Sequence, residues 1–437
     1  MPDNPDTQDI SALLLTGFSA INIRDALESA ADMRGLSLQH TAALLCTDDE
    51  NIKDRIYDLA RSVRWALTGN RVFLHQPVRC PVPDACVPKT ADTPHSPAAS
   101  WVQSMKQAVS HFAGGGVPIV TLHLPPDGSV GADHLLQLKH HLCDKLPATP
   151  VPLLRIDSPP LPESDINRLA AANLPRIIHI QPSYDRSNVN TTAGSRSMTD
   201  SEFNALLHYP HKVIAAGARR MTLGVRLGSD RPEFEILSLL AHNNQLKQEF
   251  GHGARAIHIE TCTRHQTALS KEALCHFTAV LTLAAPDSII SVPFTEDEGG
   301  TPEAVDYGAT FIGLPTYDHA AAVVQGKKKE QSAVHKNMDS TIRVLLGSYA
   351  VVPALCIQCY QQTPCKIDCR HQMDEGIMHG ECATNNLRQL AVYLHKHGSA
   401  ATRKTAQNAL LREFACLDGA QQIALRPVLS SLLSLPV

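Results

Sequence analysis

MTLGVRLGSDRPEFEILSLLAHNNQLKQEFGHGARAIHIE, residues 221–260, is the stretch that decides the fold. Two short apolar runs, Met221–Arg226 and Ala256–Glu260, bracket one long helical stretch, Arg231–Phe250. Strands joined through a helix of that length read as parallel neighbours, because a parallel pair needs a long crossover where an antiparallel pair needs only a tight turn.

The unit repeats in both directions. Upstream, strands are predicted at Arg71–His75, Val117–Leu122, Pro152–Ile156 and Arg176–Ile180, and downstream at Ser288–Val292 and Thr310–Gly313. Helical patterns fall between them at Ser100–Phe112, His134–Leu142, Glu163–Ala172, Asp200–Gly217, Lys271–Leu283 and Pro302–Tyr307. Such alternation belongs to a barrel or a doubly wound sheet. Eight strands favour the α/β class in its (β/α)8 TIM-type barrel form, whose functional groups sit at the C-terminal ends of the strands.

Ahead of the barrel the pattern is helical, over Ile21–Met33, Thr41–Leu45 and Glu50–Leu67. The last carries Ile52, Ile56, Leu59, Ala60, Val63 and Leu67 at amphipathic spacing and stops at Gly69. Pro77–Ala99, with six prolines and two cysteines, reads as a long irregular loop after the first strand. The domain expectation is an N-terminal helical extension at 1–70, a barrel at 71–325 and a C-terminal helical, cysteine-rich domain at 326–437.

Composition narrows the function classes. The 437 residues are 43% hydrophobic and 19% charged, and the formal charge of −4 points away from nucleic acid. No apolar run is long enough to span a membrane, and MPDNPDTQDI does not resemble a signal peptide, so the cytoplasm is the expected compartment. In that compartment twelve cysteines read as including metal ligands rather than a disulfide framework. Gly114–Gly116 precedes a strand and is read as a turn, and no catalytic triad or dinucleotide fingerprint is found. The acidic segment Thr295–Gly300 is read as a solvated loop before a cation site. His123, His179 and His258 near strand ends are candidate catalytic groups, with polar filling of the barrel mouth the preferred reading.

The densest group of metal ligands is LCIQCYQQTPCKIDCRHQMDEGIMHGECA, Leu355–Ala383. Cys356 and Cys359 form a C-x2-C turn, Cys382 follows after x22, and Cys365, Cys369, His371 and His379 lie between. A C-x2-C turn brings two thiolates to one soft metal with little loss of chain entropy. Spacing alone leaves two readings open: an iron–sulfur cubane, or a four-thiolate zinc site on Cys356, Cys359, Cys365 and Cys369.

Cys356-x2-Cys359-x22-Cys382 resembles the C-terminal cluster motif of the HydG family, the radical-SAM tyrosine lyases of [FeFe]-hydrogenase maturation. Arg34–Leu74, Leu223–Glu260, Val280–Val292 and Ala354–Gln361 resemble that family in the same order along the chain. The resemblance implies a radical-SAM-type barrel, a [4Fe–4S] cluster on Cys356, Cys359 and Cys382 that leaves room for an additional iron, and maturation or hydrogenase proteins as partners. It also exposes departures. The family's C-x3-C-x2-C loop, which supplies the SAM-binding cubane, is here QPVRCPVPDACVPKT with only Cys80 and Cys86. Its Gly-Glu motif on the second strand reads TLHLPP (Thr121–Pro126), its STRE-like segment reads SVPF (Ser291–Phe294), and an expected arginine is Thr282. The chain is therefore expected to hold the distal cluster and not to use SAM, as a scaffold, carrier or accessory factor in metallocofactor assembly. Cys365 or Cys369 is available to close that cluster. A lyase with a first cluster on unusual ligands, such as Cys80, Cys86 and His75 or a cysteine from elsewhere, and a zinc-stabilised binding protein, stay as alternatives.

Overall fold

The computed structural model describes residues 7–16, 19–86, 96–145, 153–172, 176–189, 198–218, 220–228, 231–261, 269–293, 303–325, 331–349, 351–355 and 383–433. Four helices come first: α1 (Thr7–Thr16), α2 (Ala20–Ala31), α3 (Leu38–Leu45) and α4 (Glu50–Thr68). Strands and helices then alternate through β1 (Arg71–Arg79), α5 (Pro97–Gly114), β2 (Ile119–His123), α6 (Ala132–Lys145), β3 (Leu153–Asp157) and α7 (Glu163–Ala171). They continue through β4 (Ile177–Gln181), α8 (Asp200–Ala215), β5 (Thr222–Leu227), α9 (Pro232–Phe250), β6 (Ala256–Thr261) and α10 (Lys271–Ala284). After β7 (Ile289–Val292), β8 (Phe311–Gly313), β9 (Tyr317–Asp318), α11 (His319–Gln325), α12 (Gln331–Ser348) and β10 (Val352–Ala354), three helices follow the cysteine segment. These are α13 (Ala383–Lys396), α14 (Ala400–Ala415) and α15 (Gly419–Leu433).

One sheet runs β10-β1-β2-β3-β4-β5-β6-β7-β8, and β1 also pairs β8, which is the strand order of a closed (β/α)8 barrel. The eight strands expected from the sequence are all present. Each helical stretch between them is also found, except that the described part of the last one, Ala304–Tyr307, is a single 3-10 turn. No single helix among the described residues is long and apolar enough to cross a membrane.

The chain divides into two compact units, 1–67 with 157–311 and 68–156 with 312–437. In the first, β4 to β7 pair in parallel, with Ile180 opposite Gly224, Gly224 opposite His258 and His258 opposite Ser291. Leu223, Val225, Leu227, Ile257 and Ile259 alternate with these and are buried. Ser37 and Ser270 cap α3 and α10 by accepting the N–H of His40 and Ala273, satisfying donors that the first helical turn leaves open. Thr199 and Glu202 do the same for α8 through a reciprocal capping box. The helix α1, which the sequence pattern did not reveal, packs against α3 and α9, and Ser11 Oγ accepts a bond from Arg231 at 3.0 Å.

In the second unit β1 is longer than its sequence predicts and runs through Pro77 to Arg79. Proline has no N–H, so it survives in a strand only where none is required. Pro77 meets that condition: His75 O accepts from Leu314 N–H at 2.8 Å, and pairing on that side resumes only with Val78 opposite Tyr317. The irregular loop therefore begins near Cys80 rather than at Pro77.

Gly308 closes the Ala304–Tyr307 turn at φ +105°, and a Cβ there would overlap the Thr282 side chain. Gly251 ends α9 at φ +75° with open space around it. Urea unfolding is expected to show Gly308→Ala losing roughly 2–4 kcal/mol, from backbone strain plus overpacking. Gly251→Ala is expected to lose only about 1 kcal/mol, from strain alone.

Candidate functional site

Alternation along the strands sorts the polar groups of the first unit. A Cβ on Gly224 would meet Ile180 Cδ1 at 2.6 Å and the His258 carbonyl at 2.9 Å. His258 Nδ1 is hydrogen-bonded to Ser291 Oγ at 2.9 Å. One step nearer the C-terminal ends, Arg226 and Glu260 stand opposite each other in register and form an ion pair at 2.9 Å. Ile180, Gly224, Arg226, His258, Glu260 and Ser291 thus share one face of the sheet. The opposite face meets the helices, since His179 lies 5.4 Å from the ring of Tyr209 on α8. The shared face is the inner one, and it presents a half-buried cation, carboxylate and imidazole beside the buried Ser291 hydroxyl.

The three candidate histidines consequently separate. His258 belongs to the inner wall. His179 does not: it is buried on the helix side, bonded to Gln181 at 3.3 Å, and burial lowers its pKa to about 4. That is the environment of a neutral packing group. His123 ends β2, half-buried, and its carbonyl accepts the Cys80 N–H at 2.9 Å.

A second polar group, not evident from the sequence, lies in the helix layer behind β4. Glu235, in the first turn of α9, is 0% exposed. Its carboxyl accepts the Ser183 hydroxyl and the Tyr184 N–H, the latter at 2.7 Å, and so holds the loop that leaves β4. Gln181 Nε2 donates to Ser183 O at 2.9 Å within the same loop. The Tyr184 hydroxyl is bonded to His242 Nδ1 at 2.9 Å. His242 stacks on His211 at 5.4 Å, and His211 Nδ1 meets Glu249 at 2.5 Å. Burial, reinforced by the neighbouring imidazoles, lowers the His242 pKa to about 3. Burial raises that of Glu235 to about 7 against the bonds from Ser183 and Tyr184. This network fixes a strand-end loop and is not itself a ligand set.

In the second unit, the loop after β1 carries the two proximal thiols. Cys80 is 4% exposed, with Sγ 3.7 Å from Val78 O. Cys86 sits in the short turn Pro83–Cys86 with Sγ 3.8 Å from Val82 O, and burial pushes its thiol pKa up. Trp101, fully buried, clamps the loop by donating to Pro81 O at 2.9 Å. Thr121 Oγ1 and His75 Nδ1 are bonded to each other at 2.9 Å. In the first unit, Thr282, which stands where the resemblance expects an arginine, is a buried residue of α10 bonded to Thr278 O at 2.8 Å. Among the described residues no group of three or more His, Cys, Asp or Glu is placed to hold a metal ion.

Cys356, Cys359 and Cys382 lie outside the described residues, as do Cys365, Cys369, His371, His379 and the acidic segment 295–300. What is described is the frame on both sides of the cysteine segment. Leu355 N–H donates to Asn386 Oδ1 at 2.7 Å, and Asn386 Nδ2 donates to Pro353 O at 3.0 Å. The end of β10 and the first turn of α13 are thereby tied together.

These features define a (β/α)8-barrel protein with N-terminal helices and a C-terminal helical extension. No protein-family model matches the chain, and no curated protein sequence matches it. Solved structures do match, and the fold is that of HydG. A crystal structure of HydG, a maturase of the [FeFe]-hydrogenase, superposes with a TM-score of 0.81 over 99% of this chain and 98% of its own, at 16% identity. HydG from Carboxydothermus hydrogenoformans gives 0.71 over 97% and 99%, at 17% identity. Methylornithine synthase (PylB) gives 0.50 over 73% and 95%, at 15% identity.

The buried carboxyl sets a pH dependence whose sign follows from its raised pKa. The folded chain holds the Glu235 proton more tightly than the unfolded chain does. Its stabilising contribution is present below the ordinary value of 4.5 and is lost as pH rises through about 7. The stability of the wild type minus that of Glu235→Gln, taken from urea titrations between pH 4 and 8, is expected to fall by roughly 3 kcal/mol. A flat difference would show that Glu235 is not desolvated.

Proposed function

We propose that the chain is a HydG-like iron–sulfur protein that holds a [4Fe–4S] cluster on Cys356, Cys359 and Cys382. In this reading it serves as a scaffold, carrier or accessory factor in assembling a hydrogenase-type metallocofactor, in the cytoplasm, with maturation or hydrogenase proteins as partners. It does so without cleaving SAM. The C-terminal part, 326–437, is the cluster-binding domain, attached to the barrel at 71–325 and the helical extension at 1–70.

The observation that carries the proposal is the contrast between the two thiol sets within a HydG fold. The proximal loop offers Cys80 and Cys86, both directed at carbonyls of their own turn. The half-buried Cys86 thiol has its pKa raised by desolvation, and the thiol form is a poorer ligand than the thiolate. Two thiols do not meet the three-thiolate requirement of an open cubane, so that donor set does not fit a SAM-binding cluster. The distal set keeps three thiols, and Asn386 ties the chain together at their flanks. Three thiolates leave one iron of a bound cubane open to a small ligand or a further iron, unless Cys365 or Cys369 closes it.

Iron and acid-labile sulfide analysis of anaerobically purified protein tests the reading. About four irons with matching sulfide are expected per chain, lost in the Cys356→Ser, Cys359→Ser, Cys382→Ser triple variant. Incubation with SAM and a reductant is expected to yield no deoxyadenosine. Roughly eight irons with deoxyadenosine formation would make it a radical enzyme instead, and one zinc without sulfide would make it a zinc protein.

A further inference from the structure

The bonds to Asn386 have a specific geometry. β10 is the edge strand of the sheet and pairs β1 with Val352 opposite Arg71 and Ala354 opposite Phe73. Val352 N–H donates to Asn70 O at 2.8 Å, so residues 352 and 354 turn their backbone groups toward β1. By the alternation of a strand, residues 353 and 355 turn theirs to the open edge. There the Asn386 amide accepts from Leu355 N–H and donates to Pro353 O. A peptide group of a neighbouring parallel strand opposite Ala354 would make the same two bonds. The side chain therefore stands in for one unit of a missing strand and ends the sheet at the residue before Cys356.

The amide is held from behind as well. Asn386 is 3% exposed, and the helix that carries it buries Leu387, Leu390, Ala391, Tyr393 and Leu394. Gly116, at φ +81°, lies so close to the Tyr393 ring that a Cβ would come within 2.7 Å of it. On the strand side, Asn70, whose carbonyl receives Val352, donates its own amide to Glu413 of α14 at 2.8 Å. Both ends of the amide's bridge thus belong to packed elements.

We propose that Asn386 is the positioning residue of the distal thiol set: its amide fixes the separation of Leu355 and Ala383, the points from which the cysteine segment departs and to which it returns. The inference rests on the distal-cluster reading for its consequence, but its geometric content is independent of which metal is bound. A ligand set held on rigid flanks keeps its metal longer than one whose flanks move, because partial detachment is followed by recapture rather than escape.

Two measurements on the full-length chain test it. In the first, metal-free protein with Cys359, Cys365 and Cys369 replaced by Ser is equilibrated with glutathione redox buffers. The equilibrium constant for forming the Cys356–Cys382 disulfide reads how firmly the two flanks are held together. Asn386→Leu, which removes both bonds at similar volume, is expected to lower that constant roughly tenfold, and Asn386→Asp, which keeps only the acceptor, by less. In the second, cluster-loaded protein with its full cysteine complement is exposed to an iron chelator and examined by electron paramagnetic resonance. Asn386→Leu is expected to release iron faster and to shift the spectrum of the reduced cluster, with Asn386→Asp again intermediate. Should Asn386→Leu fail to fold by circular dichroism, the Asp variant alone decides. An unchanged disulfide constant would overturn the positioning role even if the wild type carries four irons. A lowered constant in a chain that binds no iron and sulfide would overturn the cluster reading and leave the positioning role standing.

Discussion

A parallel strand offers its two faces to different surroundings, and its period of two leaves no freedom in which residue goes where. On β5 and β6 this constraint organises everything else in the first unit. Leu223, Val225, Leu227, Ile257 and Ile259 are buried. The residues between them, Gly224, Arg226, His258 and Glu260, are committed to the other face by register alone. A slip of one residue would drive Arg226 and Glu260 into the helix layer and turn the aliphatic residues into the barrel. The cost of burying that pair among apolar side chains is what specifies the register. The same rule puts His179 in the helix layer and His258 on the inner wall, although both are histidines near the end of a strand.

The helix layer is not purely apolar, and the exception has a structural cause. A loop leaving a strand end carries backbone groups that no longer pair with a neighbouring strand, and any that are buried must find another partner. Glu235 supplies one for Tyr184 N–H and accepts the Ser183 hydroxyl at the same time. Placing a carboxyl there is costly, as its raised pKa shows. The two bonds from Ser183 and Tyr184 offset only part of that cost, and they fix the loop that leaves β4. Asn386 solves the equivalent problem at the edge of β10 with a neutral amide. An amide can donate and accept simultaneously, which a carboxylate cannot, and the edge of a parallel strand demands both.

Most strand positions were legible because burial on both faces produces short apolar runs that stand out between helical patterns. The end points moved by a residue or two. The larger exception was β1, whose continuation through Pro77 depends on a gap in pairing with β8 and β9 that no local signal announces. The α1 helix was missed because its short apolar run, SALLL, carries no clear amphipathic period. Of the polar wall, His258 was marked as a candidate. Arg226, Glu260 and Ser291 were not, since their common face emerges only from inter-strand register. Glu235 and Asn386 were invisible for the same reason: the backbone groups they satisfy are distant in the chain, and nothing in EFEIL or ATNNL distinguishes them from ordinary helix residues. The cysteine spacing stands apart, because Cys356, Cys359 and Cys382 lie outside the described residues.

The proximal thiols and the flanks of the distal segment are held in different ways. The proximal thiols sit on a strand-to-helix loop that Trp101 pins by a buried hydrogen bond, and each sulfur lies against a carbonyl of its own turn. Recruiting them to a metal would require breaking these contacts, ionising at least one buried thiol and finding a third donor. The distal segment starts and ends on elements that Asn386 joins by two hydrogen bonds. Closing a long loop costs only about 0.6 kcal/mol more for each doubling of its length, so a wide spacing such as x22 is no obstacle once the ends are held. Flanks joined by two hydrogen bonds meet part of that closure entropy before any ligand binds. Thiol number and chain entropy therefore both favour the distal segment over the proximal loop as the place for the proposed cluster.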